Sequence, residues 1–231
     1  MADGHPDREG TPVGRRVVLG LLATGALGVV VGHSVQDALA RGLAGLEARD
    51  PTGLSAQAPL GNAFRYYSVT GSVPTRTAHT YRLAVSGLVT RRASYTLADL
   101  HAMPQATLVR EFRCVTGWRV PGVHWEGVRL SALLERARPM PDAGAVRFRS
   151  FDGTYTESLS LAQARRPDVI VALRMLGGPV THEHGGPVRM YVAPMYGYKS
   201  TKWLSGIELT RHAGPGYWEE RGYPVDAFTD E

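Results

Sequence analysis

Cys114 is the only cysteine in the 231 residues. It can form no disulfide within the chain, so its thiol is either an inert core group or a chemically used one. It sits in Arg110-Glu-Phe-Arg-Cys114-Val-Thr-Gly-Trp118, at the end of an apolar stretch that reads as a strand. Side chains at such a strand end reach the mouth of a fold. Arg110 and Arg113 are close enough in sequence to favour the thiolate. A thiolate is a soft ligand for a transition metal, and metal binding deprotonates it outright. Taken alone, the cysteine favours a buried structural thiol.

Two further segments carry polar chemistry. In His182-Glu-His184-Gly-Gly-Pro-Val-Arg189 a glycine-rich turn leads into a strand. Histidines at i and i+2 suit zinc, but no third ligand follows at a recognisable spacing. Glycines that admit a ligand to the backbone, next to a guanidinium fork, suit a polar anionic organic ligand better. In Tyr196-Gly-Tyr-Lys199-Ser-Thr-Lys202-Trp203 both lysines of the chain fall within four residues, against 24 arginines elsewhere. Ammonium, hydroxyl and backbone N–H groups together suit a phosphate, and a solvated turn is the other reading.

The elements that position these segments are short. Tyr81, Leu83 and Val85 alternate as a strand ended by Ser86-Gly87. Thr96 to His101 reads as a helix capped by Thr96 and stopped before Pro104. Ala106 to Cys114 is a strand, and Leu130 to Ala137 an amphipathic helix with Leu130, Leu133 and Leu134 on one face. Val146 and Phe148 alternate into an Asp152-Gly153 turn; Val169–Leu176, Val188–Ala193 and Ile207–Thr210 supply further strands. Strands and brief helices without regular βαβ alternation indicate an irregular α+β domain of mixed sheets.

Before that domain, Arg15-Arg16 precede 19 residues without charge, Val17 to Val35. That is near the ~20 residues a membrane helix needs, and the arginines favour a cytoplasmic N-terminus. Gly14-Arg-Arg-Val-Val-Leu19 resembles a twin-arginine signal without its usual Ser/Thr and Phe, and Ala38-Leu39-Ala40 offers a cleavage site. The expected layout is a signal or anchor over 1–40, a linker over 41–60 and a catalytic domain over 61–231. The protein is then extracytoplasmic, touching a membrane through its N-terminal hydrophobic helix if that is uncleaved. The charge of +5 is scattered, with no zinc-finger spacing or aromatic-basic motif, so nucleic acid is not expected as a partner.

Together, Arg113-Cys-Val-Thr-Gly-Trp118, His184-Gly-Gly-Pro-Val-Arg189 and Tyr196-Gly-Tyr-Lys-Ser-Thr-Lys202 resemble the molybdopterin-binding domain of the sulfite oxidase family. The resemblance runs from about Asn62 to Thr210 and is nearest the bacterial branch with the periplasmic methionine-sulfoxide reductase catalytic subunit. It implies a sulfite-oxidase-type fold and Cys114 as the sole protein ligand to molybdenum. It implies cofactor contacts at Asn62, Arg65, Tyr66, Ser150, His184, Arg189, Ser200, Thr201 and Lys202. Arg65-Tyr66 replaces a Tyr-acidic pair of the reductase branch, and His184 replaces an Asn. The substrate is expected to be small, a sulfoxide, sulfite or similar. Arg113 and Arg119 are candidates to hold it, with Trp118 and Tyr155 shaping the pocket. No haem is expected in this chain, so electrons pass through a separate partner such as a membrane cytochrome. The other reading is a membrane-tethered binding or assembly protein that keeps the fold without catalysis.

Overall fold

The computed structural model describes residues 64–229. Asn62, the N-terminal hydrophobic segment and the linker lie outside the described residues. Among the described residues no helix is long and apolar enough to cross a membrane.

The chain order is β1 (Leu83–Gly87), β2 (Ala93–Tyr95), α1 (Leu97–His101), β3 (Gln105–Arg113), β4 (Arg119–Arg129), α2 (Leu130–Ala137), β5 (Ala145–Ser150), β6 (Thr156–Ser160), α3 (Leu161–Ala164), β7 (Val169–Met175), β8 (Gly178–Pro179), β9 (Arg189–Val192) and β10 (Leu204–Thr210). One sheet runs β2-β1-β10-β5-β6, with β1 parallel to β10. The other runs β3-β4-β7-β8, with β9 also on β7.

Local sequence explains the short helices. Thr96 accepts from the Asp99 backbone N–H while the Asp99 carboxylate accepts from the Thr96 N–H, a capping box that starts α1. Ser160 and Gln163 do the same for α3. In α2, Leu130, Leu133, Leu134 and Ala137 are buried, and the next residue, Arg138, takes a left-handed conformation (φ 54°) that stops the helix.

Strand β7 shows where the core lies. Its run Val-Ile-Val-Ala-Leu-Arg-Met is buried on both faces. Val169, Val171 and Leu173 face a core shared with α2, β1, β5 and β10. Ile170, Ala172 and Met175 face a second, aromatic core with Phe112, Trp118, Trp125 and Tyr191. Trp125 and Tyr191 stack there with centroids 4.2 Å apart. Each such fully buried large side chain stabilises the fold by about 1.5–3 kcal/mol. Phe64 packs on Phe112 (5.4 Å) and Trp118 (6.2 Å), so residues 64–67 lie along this aromatic face. The functional candidates gather at its margin.

Candidate functional site

Cys114 follows the last residue of β3 and opens the turn to β4. Its backbone N–H donates to the Trp118 carbonyl (2.9 Å), and the Gly117 N–H donates to the Cys114 carbonyl (3.0 Å). Gly117 closes the turn at φ 99°, where a side chain would be strained. The thiol is half-buried, with Sγ 3.2 Å from the Thr116 hydroxyl. Burial pushes it above the ordinary cysteine range, while bonds from Thr116 and the charge of Arg65 pull the other way. The metal-free thiol is therefore protonated at neutral pH.

The expectation that Arg110 and Arg113 activate this thiol needs correcting. Arg110 is exposed and donates to the carbonyl of Val109. Arg113 pairs with Glu111, which lies 3.7 Å from Arg119. The cation that acts on Cys114 is Arg65, from the segment before β1.

The other two segments lie side by side. Met190 N–H donates to Thr201 (2.8 Å), Trp203 N–H to Gly185 (2.8 Å) and Leu204 N–H to Val188 (2.9 Å). The indole N–H of Trp203 reaches the His182 carbonyl at 2.8 Å. Close packing needs glycine: a Cβ on Gly185, at φ 95°, would stand 2.5 Å from the Lys202 side chain. Arg189, 4% exposed, ties the two segments by donating to the His184 carbonyl (2.6 Å) and the Ser200 carbonyl (3.1 Å). The His184 ring meets Phe64 edge-on at 5.1 Å, which joins the loop to the 64–67 segment.

Lys202 completes the join. Its ammonium donates to the Tyr67 carbonyl and lies 4.5 Å from the centre of the Trp203 ring. Burial, then the neighbouring Arg189 charge, push it down to about 7, against smaller opposing effects of Asp152 and Cys114. Burial also lowers Arg189, to about 10. Among the described residues neither cation has a carboxylate within 4.0 Å. Two buried positive groups without a counter-charge cost on the order of several kcal/mol. The buried hydroxyl of Thr201 likewise has no hydrogen-bond partner. An anion with several oxygens, as on a pterin phosphate, would satisfy all three.

The remaining expected residues fall around this cradle. Ser200 is buried and its Oγ accepts from the Val192 N–H (3.0 Å). Ser150, 7% exposed, caps the turn after β5 through the Asp152 N–H (3.1 Å), and Phe151 N–H donates to Trp203 (2.7 Å). Arg65 and Tyr66 are half-buried in the 64–67 segment. Tyr155 donates to the Tyr198 carbonyl (2.6 Å), and Trp118 belongs to the aromatic core. Lys199 departs from expectation: it is 1% exposed, and its ammonium is held by Glu157 and Glu219 instead of facing the cradle. Among the described residues no cluster of three His, Cys, Asp or Glu could hold a metal ion, so His182 and His184 find no third ligand there.

Two tyrosines escape the sequence reading. Tyr67 and Tyr223 are both pushed up by burial and then by Cys114, so both phenols lie within electrostatic reach of the thiol. Tyr67 is the last aromatic of Phe64-Arg-Tyr-Tyr67, and Tyr223 ends Trp218-Glu-Glu-Arg-Gly-Tyr223. Aromatic density was the available signal, but it serves packing equally well.

Comparison with known proteins identifies the family. The family profile described as "Oxidoreductase molybdopterin binding domain" matches residues 70–218. The uncharacterized oxidoreductase YuiH of Bacillus subtilis is 36% identical over 155 residues, covering 67% of this chain and 78% of that protein. A protein of Azospira oryzae named putative protein-methionine-sulfoxide reductase subunit YedZ1 is 35% identical, covering 63% of this chain and 55% of its own length. The chain thus spans little more than half of that relative. The sulfane dehydrogenase SoxCD of Paracoccus pantotrophus shares the fold, with a TM-score of 0.56 at 22% identity over 62% of this chain and 41% of that one. With a profile match across most of its length, the chain belongs to the molybdopterin-binding oxidoreductases of the sulfite oxidase family.

Proposed function

We propose that Cys114 is the protein's ligand to molybdenum, and that the enzyme moves an oxygen atom or two electrons to or from a small substrate such as a sulfoxide or sulfite. One observation carries this reading: the lone thiol acts electrostatically on Lys202, which together with the buried Arg189 forms a cation pair that has no carboxylate partner among the described residues. When bound, the cofactor supplies the two-electron couple and the oxygen-atom exchange.

The chain's own residues divide the remaining work. Cys114 gives up its proton on binding metal. Arg189, Lys202, Ser200 and Thr201 hold the phosphate end, and Gly185 lets the Lys202 stem lie against the backbone. Asn62, Arg65, Tyr66, Ser150 and His184 contact the rest of the cofactor. Tyr67 and Tyr223 keep their phenol protons at neutral pH, since burial opposes their ionisation. In this reading their phenol groups donate to a substrate oxygen. Arg113 and Arg119 face each other across β3 and β4 with Glu111 between them, a rim suited to an anionic or strongly dipolar substrate. Reduction of a sulfoxide consumes two electrons and two protons and releases thioether and water.

The electrons come from a separate partner, in keeping with a relative named as a reductase subunit. Residues 1–40 export or anchor the chain, which places that partner at the membrane as a cytochrome or similar carrier.

The cradle assignment is tested by pterin content after purification from a host that makes the cofactor. Lys202→Met should retain at least about tenfold less pterin than wild type, because a charge-assisted contact of about 1.5–3 kcal/mol is lost. Wild-type pterin content in that variant would refute the phosphate site.

A further inference from the structure

The other lysine of the Tyr196–Lys202 segment, Lys199, has no part in the cradle, yet it is among the most enclosed charges of the described residues. Lys199 is 1% exposed and Glu157 1%, and the Glu219 side chain is 2% exposed. The Lys199 ammonium donates to Glu157 (2.9 Å), to Glu219 and to the Ser158 carbonyl (3.3 Å). The Gly216 N–H donates to the second oxygen of Glu219 (2.9 Å). A Cβ on Gly216 would come within 2.7 Å of both carboxylates, so the backbone closes directly over the cluster.

The cluster joins three stretches of chain: β6, the turn after β9, and the C-terminal strap from Gly214 to Thr229. Around it the strap is tied down on both sides. Tyr217 N–H donates to Thr156 (2.9 Å), Tyr196 N–H to Ala227 (2.9 Å) and Thr229 N–H to Pro194 (2.9 Å). The Tyr198 hydroxyl donates to Pro224 (2.7 Å). Tyr223 is wedged between Tyr198 (5.6 Å) and Trp218 (5.2 Å). Lys199 is also followed immediately by Ser200, Thr201 and Lys202. One ammonium thus anchors the strap that bears Tyr223 to the turn that bears the cradle.

We propose that the Glu157–Lys199–Glu219 cluster is a positioning clasp, which fixes Tyr223 relative to the cradle while touching neither the thiol nor the cofactor contacts. The clasp rests on the functional reading above for its consequence, but not for its geometry. Without it the strap would still be hydrogen-bonded, but its register on the 194–199 turn would lose the one contact that is both charged and dry.

Lys199→Met would strand two carboxylates in the interior and is a poor probe, so the test uses Glu219→Gln, which keeps shape and a hydrogen-bonding oxygen. Hydrogen exchange on the purified chain should quicken over residues 214–229 by about tenfold or more, with 105–129 unchanged. In the molybdenum-loaded enzyme, reduction of methionine sulfoxide by a reduced viologen dye should lose about tenfold in kcat at unchanged molybdenum content. Tyr223→Phe should lose a similar factor, and the double variant Glu219→Gln/Tyr223→Phe should lose little more than Tyr223→Phe alone. Losses that multiply in the double variant would show that the clasp does not act through Tyr223, and unchanged exchange over the strap would overturn the clasp itself. If the wild-type chain carries no molybdenum, the functional reading fails instead, and the exchange experiment still decides the clasp.

Discussion

Protons are managed in opposite directions at Cys114 and Lys202. Burial keeps the thiol protonated, and Arg65 opposes this. Arg65→Gln should therefore slow alkylation of Cys114 by iodoacetamide several-fold at pH 8 in the metal-free chain; an unchanged rate would remove Arg65 from the thiol's surroundings. Lys202 is held near 7 because burial and Arg189 disfavour its charge. An anion bound beside it raises that value, so binding draws in a proton. Through this group, affinity is level below about pH 7 and falls by up to about tenfold per unit above it, until the bound-state value is passed. Calorimetric titration with inorganic pyrophosphate in two buffers of different ionisation enthalpy reads the proton uptake directly. The residues behind these effects were partly legible in the sequence. The glycine-rich His184–Arg189 turn and the Ser200–Lys202 run stood out by composition. Lys199 looked equivalent to Lys202 because spacing does not reveal which way a 3-10 turn aims its side chains, and this one, over Gly197–Lys199, sends Lys199 inward to two glutamates.

Among the elements, those with strong local signals were the legible ones. Thr96 as a cap and Pro104 as a stop marked α1, and the leucine spacing marked α2. The longest strand, β4, was not legible. Its sequence Arg-Val-Pro-Gly-Val-His-Trp-Glu-Gly-Val-Arg is broken by proline and glycine, and it slips register against both β3 and β7. Only pairing with its neighbours makes it a central strand that buries Val123, Trp125 and Val128. The strand ends it shares with β3 carry the thiol, so packing behind them matters for function. A Cβ on Gly197 would stand 2.3 Å from the Phe112 ring, two residues from Cys114. Gly197→Ala should destabilise the fold by about 1–3 kcal/mol as an overpacking change and lower cofactor retention with it. A thermal melt beside a pterin assay checks both. An unshifted melting temperature would mean that the aromatic core yields more readily than its close packing indicates.

For the molecule as a whole, two sheets share one core, and a second aromatic core lies beyond β7, with the proposed cofactor cradle at its margin. The C-terminal strap packs on β6 and the 194–199 turn and is anchored by a charge cluster with two carboxylates and one ammonium. Burial, assisted by Glu219 and opposed by Lys199, pushes Glu157 up to about 8. Its folded-state value lies above the unfolded one, so the proton it keeps stabilises the fold below about pH 4.5. That contribution is lost as pH rises through about 8. The melting temperature should fall across this window, and Glu157→Gln should flatten the fall. An equally steep fall in the variant would place the titration elsewhere. The α+β class was legible from strand spacing, and the three blocks carried the family resemblance. The strap's role was not, because its pairings with residues 156, 194 and 196 are distant in sequence and leave no periodic trace.

The central claim is that Cys114 ligates molybdenum, and sulfur coordination tests it most directly. X-ray absorption at the molybdenum edge of the loaded enzyme counts the sulfur neighbours of the metal. Cys114→Ser, which keeps the size of the side chain, should show one sulfur fewer than wild type, with the pterin still bound through Arg189 and Lys202. The same sulfur count in both proteins, at equal molybdenum content, would contradict the account.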